Sequence, residues 1–293
     1  MRILVCGARG FIGRHIVQAL EAAGHDVVRG VSRAARAGDV SMDFARDLSP
    51  EAWLPRLAGI EAVVNAVGIL RGSARRPMQA VHAEAPAALF EACARAGVRR
   101  VIHISALGID GNPTDYAQTK LAAERALLAL NDAGRLDGVV LRPSIVFGPG
   151  GESSQLFLNL ARLPWLLLPR AAIRARVQPV HVYELAEAVA RLAGPARAMR
   201  GQLEGAGPEA VALAGFIASL RTQLGHRAPH VTALPDGLTQ LSARMGDWVP
   251  ITPWGTQALS LLTQDNVGDP GTLAQLLGRA PTHYSQLLTR SDA

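Results

Sequence analysis

The chain has 293 residues, 49% of them apolar, and a formal net charge of +6. Such a chain can bury a large core as one domain or as one and a half, and no apolar run reaches the roughly 18 residues that a membrane span needs. The N-terminus begins with a strand pattern and lacks the layout of a signal peptide, so we expect a cytoplasmic protein. The two cysteines, Cys6 and Cys93, predict neither a disulfide framework nor a metal site.

The positive charge does not indicate a nucleic-acid partner. The arginines are spread along the whole chain, and only 4% of the residues are aromatic. Single-strand binders need aromatic faces for base stacking, and duplex readers need a recognisable motif. The sequence shows neither feature, so we expect no binding to nucleic acid.

The chain begins with the pattern of a strand, a glycine loop and a helix. Arg2 to Cys6 is a short apolar run, and Gly7, Gly10 and Gly13 follow in the spacing GxxGxxG before a helical repeat that stops at Gly24. Glycines let the backbone approach a pyrophosphate, and a helix start presents free N–H groups and a positive dipole end to it. A glycine triplet alone is a weak signal, but the flanking strand and helix predict a dinucleotide site.

The end of the second predicted strand, Asp26 to Ser32, bears on the choice of dinucleotide. An acidic residue there would accept hydrogen bonds from the adenosine ribose and repel a 2′-phosphate. The sequence has Ser32 and Arg33 instead, with Arg9 inside the glycine loop. Because arginine binds phosphate in a forked geometry, we expect NADP(H) and keep NAD(H) as the alternative. In that alternative Arg33 and Arg36 are solvated loop charges.

Strands and helices continue to alternate, which is typical of a doubly wound parallel sheet. We expect a strand at 62–66, a helix at 78–96, a strand at 101–105, a helix from Tyr116 to about Leu130 and a strand at 139–147. The strand ends carry small or polar residues, namely Gly7, Ser32, Asn65, Gly68, Ser105 and the run Arg142-Pro143-Ser144. Ligands bind at the carboxyl edge of open parallel sheets, so these residues are expected to line one crevice.

The predicted fold class is therefore α/β, a doubly wound Rossmann sheet with a smaller C-terminal substrate domain. We expect the dinucleotide-binding domain at residues 1–150 and the substrate-side region at 151–293, with 178–195 packing back on the Rossmann domain. Trp248 and Trp254 are expected to anchor the packing of the C-terminal region.

Lys120 is the only lysine among thirty basic residues, and it follows Tyr116 by four positions. On a helix these two positions share a face. A lysine ammonium is compact enough to lie beneath a ring or ribose, and beside a phenol it stabilises the phenolate. Tyr116 would then act as an acid or base near neutral pH. The alternative is that a chain biased toward arginine kept one lysine by chance.

Five segments, in the order GARGFIGR, AVVNAVGIL, VIHISALG, YAQTK and LRPSIVFGPG, resemble the short-chain dehydrogenase/reductase superfamily in its extended or atypical branch. Within it the chain is most similar to bacterial relatives of the NAD(P)H-binding accessory subunit of respiratory complex I, often labelled nucleotide-sugar epimerase-like. The resemblance spans roughly residues 1 to 190 and fades beyond them.

The resemblance implies roles for individual residues. Tyr116 would be the acid/base of a hydride transfer at a carbonyl or carbinol carbon, and Lys120 would hold the nicotinamide ribose. The other implied cofactor contacts are Gly7, Gly10 and Gly13 at the pyrophosphate with the backbone of Phe11 and Ile12, Asp43 near the adenine, Ala66, Val67 and Gly68 under the adenosine ribose, and Pro143, Ser144 and Ile145 facing the nicotinamide. Asp43 has a turn residue as its alternative role.

One position departs from the pattern of the superfamily. Active members usually place a catalytic Ser or Thr one or two residues beyond the first serine of this strand end, and here Ala106 and Leu107 follow Ser105. Losing an oxyanion donor typically costs about a hundredfold or more in rate. We expect Ser105 or a residue of the Thr114 loop to substitute, or turnover to be weak. The alternative function is an NAD(P)H-binding sensor or assembly protein with little or no catalysis.

The region after Gly151 is where we expect the substrate to be recognised. The apolar stretch Leu156 to Leu168 would cover an apolar substrate, touch a membrane surface or form an ordinary core helix. Arg170, Arg174 and Arg176 would meet a substrate phosphate or be solvated charges. We expect a small-molecule substrate, namely a quinone, another carbonyl compound or a sugar nucleotide. The protein would be a monomer, or a homodimer formed through the helices near 84–96 and 116–130.

Overall fold

The computed structural model describes residues 1–194, 199–247, 255–261 and 264–289, so Trp248 and Trp254 lie outside the described residues. The chain forms two compact units. The first unit contains Met1–Arg142 and Tyr183–Leu203, and the second contains Pro143–Val182 and Glu204–Ala293. The chain therefore leaves the first unit at Arg142, which is earlier than the expected boundary at residue 150.

The strands are short, as expected of an α/β chain. They are β1 (Arg2–Cys6), β2 (Asp26–Val31), β3 (Asp39–Ser41), β4 (Ala62–Asn65), β5 (Arg100–Ile104), β6 (Asp137–Pro143), β7 (Val146–Phe147), β8 (Trp165–Pro169), β9 (Arg176–Val177), β10 (Val180–His181), β11 (Gly201–Gly205), β12 (Val211–Ala212) and β13 (His230–Leu234).

The helices alternate with these strands in the first half of the chain. They are α1 (Phe11–Ala22), α2 (Pro50–Trp53), α3 (Ala85–Ala96), α4 (Asp115–Asp132), α5 (Glu152–Ala161), α6 (Arg170–Arg174), α7 (Val182–Ala193), α8 (Leu213–Gln223), α9 (Asp236–Asp247), α10 (Thr256–Leu261) and α11 (Pro270–Leu277). A π-helical turn at Ala80–Glu84 leads into α3, and 3₁₀ turns occupy Leu54–Leu57 and Tyr284–Gln286.

The main sheet has seven strands in the order β11-β6-β5-β4-β1-β2-β3. The pairs from β6 across to β3 are parallel, and the fully buried apolar runs of β1 and β4 suit a sheet covered on both faces. The strand order reverses between β1 and β4, which is where such sheets bind ligands. Cys6 ends β1 opposite Asn65, the last residue of β4. The predicted Rossmann-type α/β fold is thus confirmed.

The predicted strand at 139–147 is two separate strands. Its first part, β6, ends at Pro143, and its last two residues form β7, which pairs with β10. The N–H of Ser144 donates to the carbonyl of Gly205. Pro143 has no N–H with which to continue a ladder, and β6 ends at this residue.

The apolar stretch Leu156 to Leu168 also divides into two elements. Helix α5 ends at Ala161, ahead of Pro164, and β8 then pairs in parallel with β13. Along β8 the side chains alternate, because Leu166 and Leu168 are buried whereas Trp165 and Leu167 are 68% and 59% exposed. The stretch is therefore not one core helix. Within the described ranges, no helix combines the length and apolar character that crossing a membrane requires.

Candidate active site

The glycine loop between β1 and α1 has a geometry that only glycines permit. Gly7 has a φ of +79°, in the left-handed region that favours glycine. A Cβ at Gly13 would lie 2.1 Å from the carbonyl oxygen of Gly7. Gly10 precedes α1, and no side chain in the described structure caps this helix start. The first-turn N–H groups, which include those of Phe11 and Ile12, are thus available to an anion.

The loop after β4, residues 66–69, lies against the glycine loop and is called the β4 loop below. A Cβ at Gly7 would meet a methyl of Val67 at 3.1 Å and the backbone of Ala66 at 3.3 Å. The carboxamide oxygen of Asn65 accepts the N–H of Val67 at 3.1 Å, and His82 Nε2 accepts the N–H of Ile69 at 2.9 Å. Two side chains therefore fix the backbone of this loop from its two ends.

Arg9 is engaged within the protein. Its guanidinium lies 2.8 Å from a carboxylate oxygen of Asp39 and donates to the carbonyl of Arg33. The same carboxylate accepts from the guanidinium of Arg29 and from the N–H groups of Ala35 and Arg36. The N–H of Ala35, together with Arg29, holds the pKa of Asp39 below its usual range. The role of Arg9 as a second phosphate ligand stays a prediction, and in this structure its charge is paired with Asp39.

Arg33 and Asp43 occupy exposed positions near the ends of β2 and β3. In the described parts of the chain the Arg33 guanidinium forms no ion pair, and Ser32 beside it is also exposed. Asp43 accepts the N–H of Ala45 at 2.9 Å, a local hydrogen bond that organises a turn. The geometry thus leaves Arg33 available for an anion and gives Asp43 a turn-forming role.

Helix α4 carries Tyr116 and Lys120. Thr114 caps its start by accepting the N–H of Ala117. The ammonium of Lys120 is buried and donates to the carbonyl of Ile104, at the end of β5, at 2.9 Å. A Cβ at Gly68 would lie 3.5 Å from the same nitrogen. Lys120 therefore lies between the end of β5 and the β4 loop, at the carboxyl edge of the sheet.

Burial shifts the pKa values of both residues. It lowers the pKa of Lys120 from 10.5 to about 8, with the carboxylate of Glu124 acting in the opposite direction. It raises the pKa of Tyr116 from 10.0 to about 12. From the spacing alone, Lys120 is expected to lower the pKa of Tyr116. In the structure the desolvation of the phenol dominates instead, so Tyr116 is a neutral acid at physiological pH.

Ser105 and Thr114, the two expected substitutes for the missing donor, are hydrogen-bonded inside the protein. The buried Ser105 hydroxyl donates to the carboxylate of Glu124, which also binds the guanidinium of Arg142. The Thr114 hydroxyl donates to the carboxamide oxygen of Asn112 at 2.7 Å. Neither hydroxyl proton is therefore directed at a substrate oxygen in this structure.

Pro143, Ser144 and Ile145, expected to face the nicotinamide, open the second unit. The hydroxyl of Ser144 donates to the carbonyl of Asn266 at 2.8 Å and accepts the N–H of Gln178 at 3.0 Å. This side chain therefore links three segments of the second unit.

Three further residues orient the groups around the site, namely Asp39, His82 and Glu124. Glu124 follows Lys120 at the next helical spacing of four, so its place on the same face was readable from the sequence. The contact of Asp39 with Arg9 and that of His82 with Ile69 give no such signal, because these partners lie 30 and 13 residues away.

Residues 3–198 match the model of the NAD dependent epimerase/dehydratase family. This match covers more than half of the chain, which therefore belongs to that family. It confirms the assignment to the extended branch of the short-chain dehydrogenase/reductase superfamily.

The curated relatives carry the names of different enzymes. The ceramide reductase of Caulobacter vibrioides is 30% identical over 195 residues, which cover 63% of this chain and 58% of that protein. The 2-alkyl-3-oxoalkanoate reductase of Stenotrophomonas maltophilia is 31% identical over 209 residues, with 60% and 56% covered. The chain thus spans little more than half the length of these relatives.

Solved structures share the fold over nearly the whole chain. The structure of gox2253 has a TM-score of 0.74 at 22% identity and covers 99% of this chain and 96% of its own. The human epimerase family protein SDR39U1, solved with NADPH, has a TM-score of 0.71 at 20% identity and covers 99% of each chain. Identities at this level establish the fold alone.

Proposed function

We propose that this chain is an NADP(H)-dependent oxidoreductase or epimerase-like enzyme, which transfers hydride at a carbonyl or carbinol carbon with Tyr116 as the acid/base and Lys120 assisting. The observation that carries the proposal is the placement of Lys120. The only lysine of the chain is buried on the helix of Tyr116, between the carbonyl of Ile104 and the β4 loop. A buried ammonium is costly, so its retention at the ligand-binding edge of the sheet supports a functional role.

The residues around β1 and β4 fit a dinucleotide. The pyrophosphate would meet the glycine loop, Gly7 to Gly13, and the free N–H groups at the start of α1. The β4 loop, Ala66 to Gly68, would lie under the adenosine ribose, and the Lys120 ammonium would donate to the nicotinamide ribose. Asp43 near the adenine and Pro143 to Ile145 at the nicotinamide complete the proposed contacts. When bound, the cofactor would supply or accept the hydride.

Two observations support NADP(H) over NAD(H). The guanidinium of Arg33 is exposed and unpaired among the described residues, beside Ser32 at the end of β2. The nearby carboxylate of Asp39 is saturated by two arginines and two backbone N–H groups, so it is occupied rather than presented to a ribose. An unpaired arginine next to a neutralised carboxylate favours a 2′-phosphate.

The protonation states favour the reductive direction. With a pKa of about 12, Tyr116 holds its proton at neutral pH and would donate it to the oxygen that develops charge as a carbonyl is reduced. Lys120, with a pKa of about 8, is still mostly protonated there and would stabilise the resulting phenolate. Because Ser105 is bound to Glu124, we do not assign it as the second oxyanion donor, and we expect modest turnover.

The proposed substrate is a small molecule with a carbonyl group. Two of the relatives are named for reducing lipid-like compounds, a ceramide and a 2-alkyl-3-oxoalkanoate, and a UDP-glucose 4-epimerase of Vibrio cholerae is 27% identical. We favour an apolar carbonyl compound, with a sugar nucleotide as the alternative. We further propose a cytoplasmic monomer or homodimer, which suits the two buried, free cysteines.

A second candidate function is a dinucleotide-bound sensor or assembly protein. It is favoured because the hydroxyls of Ser105 and Thr114 donate to other residues of the protein. A site without a second hydrogen-bond donor to the substrate oxygen loses a large part of the reaction rate. In that function the cofactor residues serve only for binding.

The test is a fluorescence titration with NADPH and NADH, followed by a panel of quinones, ketones, aldehydes and sugar nucleotides. Tight NADPH binding with oxidation by one compound class, abolished in Tyr116→Phe with unchanged NADPH affinity, is the expected result. Binding without oxidation by any compound would favour the sensor. Activity that survives Tyr116→Phe would remove the assigned acid, and absence of binding to both nucleotides would overturn the proposal.

A further inference from the structure

His82 lies at a backbone irregularity next to the proposed site. It is in the π-helical turn Ala80–Glu84 that precedes α3, and its side chain is buried. Single π turns inside helices occur frequently at functional sites. The turn directs the imidazole toward the β4 loop and helix α4, as its contacts show.

The hydrogen bonds of His82 define its tautomer. A backbone N–H can only donate, so Nε2, which accepts from Ile69 at 2.9 Å, carries no proton. The proton of the neutral ring is therefore on Nδ1, which lies 3.2 Å from the Thr119 hydroxyl. That hydroxyl in turn donates to the carbonyl of Asp115 at 2.6 Å. The ring thus connects the β4 loop to the first turn of α4.

Burial, together with the charges of Lys120 and Arg76, lowers the pKa of His82 to about 3. The ring is consequently neutral in the physiological range, and Nε2 remains an acceptor. A protonated ring would present two donors and would oppose the N–H of Ile69.

The same ring also contacts the proposed acid. The imidazole of His82 and the phenol of Tyr116 meet edge to face, with centroids 5.5 Å apart and planes at 83°. A Cβ at Gly68 would be 3.8 Å from His82 Nε2 and 3.5 Å from Lys120 Nζ. One side chain therefore touches the loop proposed to lie under the cofactor and the residue proposed to move the proton.

We propose that His82 is a positioning residue for the reaction, with two separable parts: its Nε2 fixes the β4 loop for cofactor binding, and its ring fixes the orientation of the Tyr116 phenol. This inference rests on the proposed function. The other end of the loop is held by Asn65, whose carboxamide oxygen accepts the N–H of Val67. Because Asn65 remains, loss of the Nε2 acceptor displaces the Gly68–Ile69 end of the loop in particular.

Two substitutions separate the two parts. His82→Phe keeps an aromatic ring beside Tyr116 but leaves the N–H of Ile69 without an acceptor. His82→Gln supplies an amide oxygen as acceptor but removes the ring. We expect His82→Phe to weaken NADPH binding about tenfold, as for the loss of one buried acceptor, with kcat at saturating NADPH largely retained. We expect His82→Gln to bind NADPH nearly as the wild type does and to lose kcat.

The decisive experiment measures NADPH affinity, kcat and the exchange rate of the Ile69 amide proton in the wild type and both variants. NMR of the wild type would report the His82 tautomer directly. Wild-type affinity and kcat in both variants, an equal loss of affinity in both, or a proton on Nε2 would each overturn the inference. The tautomer measurement needs no variant, so the inference stays testable if a substitution prevents folding. Wild-type protein that binds neither dinucleotide would instead refute the proposed function.

Discussion

The guanidinium of Arg142 and the carboxylate of Glu124 form a buried ion pair at the carboxyl edge of the main sheet. Arg142 Nε lies 2.9 Å from one oxygen of Glu124, and its Nη2 donates to the other. The two side chains are 5% and 3% exposed. Glu124 follows Lys120 by four residues on α4, and Arg142 is the last residue of the first unit before Pro143. The pair thus fixes the helix of the proposed acid to the end of β6.

Glu124→Gln should lower the free energy of unfolding by about 3–5 kcal/mol, the usual cost of removing one partner from a buried ion pair. Among the described residues, the remaining carboxylate partner of Arg142 would be Asp110, whose side chain is 69% exposed. The measurement is urea unfolding, with Glu91→Gln as the matched control. Glu91 pairs with Arg135 on the surface, so its loss should cost far less. Equal effects of the two substitutions would contradict a special contribution from the buried pair.

Gly13→Ala should disrupt the glycine loop and weaken the binding of both dinucleotides. The added Cβ would lie 2.1 Å from the carbonyl oxygen of Gly7 and 2.8 Å from its carbon, and backbone atoms at such distances must move. Gly237→Ala is the control, because a Cβ there meets nothing within 4 Å. Fluorescence titration with NADPH measures the effect. Unaltered affinity in Gly13→Ala would place the pyrophosphate elsewhere.

Arg33→Ala should weaken NADPH binding roughly tenfold or more, the value of a hydrogen bond to a charged group, and leave NADH affinity nearly unchanged. The reason is that the unpaired guanidinium of Arg33 would bind the 2′-phosphate, which NADH lacks. Arg36→Ala, in the same exposed loop, serves as the control for general charge. Arg9→Ala should instead weaken both dinucleotides, because Arg9 holds Asp39 and the carbonyl of Arg33. Equal losses for NADPH and NADH in Arg33→Ala would argue against the phosphate site.

The features of this protein that the sequence predicts are those formed by residues close together along the chain. The strand β1, the glycine loop and the shared helix of Tyr116 and Lys120 depend on residues within a few positions of one another. Which side chains of the site are free to bind a ligand depends on contacts between residues far apart in sequence. Examples are Arg9 with Asp39, 30 residues apart, and Ser105 with Glu124, 19 residues apart. Those partners are brought together by the order of strands in the sheet, which no local spacing records.

The direction of the pKa shift of Tyr116 is a second property that the local sequence pattern does not predict. The spacing predicts that Tyr116 and Lys120 lie on one helix, which α4 confirms, and electrostatics alone predicts a lowered pKa for Tyr116. Burial was the missing quantity, and it reverses the sign for the phenol and lowers the pKa of the lysine. The extent of desolvation depends on contacts such as that of the Tyr116 phenol with His82, 34 residues earlier in the chain, which only the folded structure brings together.

The rate of carbonyl reduction at saturating NADPH should fall as the pH rises through about 8. Lys120 is protonated below its pKa of about 8 and neutral above it, so the stabilisation of the Tyr116 phenolate is present at low pH and lost at high pH. Tyr116 itself stays protonated up to about 12 and therefore does not limit this range. The measurement is kcat between pH 6 and 10 in buffers of constant ionic strength.

Glu124→Gln makes this prediction specific to Lys120. The carboxylate of Glu124 raises the pKa of Lys120 against the effect of burial, so its removal should shift the midpoint of the kcat profile to lower pH. Tyr116, with a pKa of about 12, lies outside the measured range and is not expected to give a midpoint in it. A kcat profile that is flat up to pH 10, or a midpoint unchanged in Glu124→Gln, would exclude Lys120 as the titrating group.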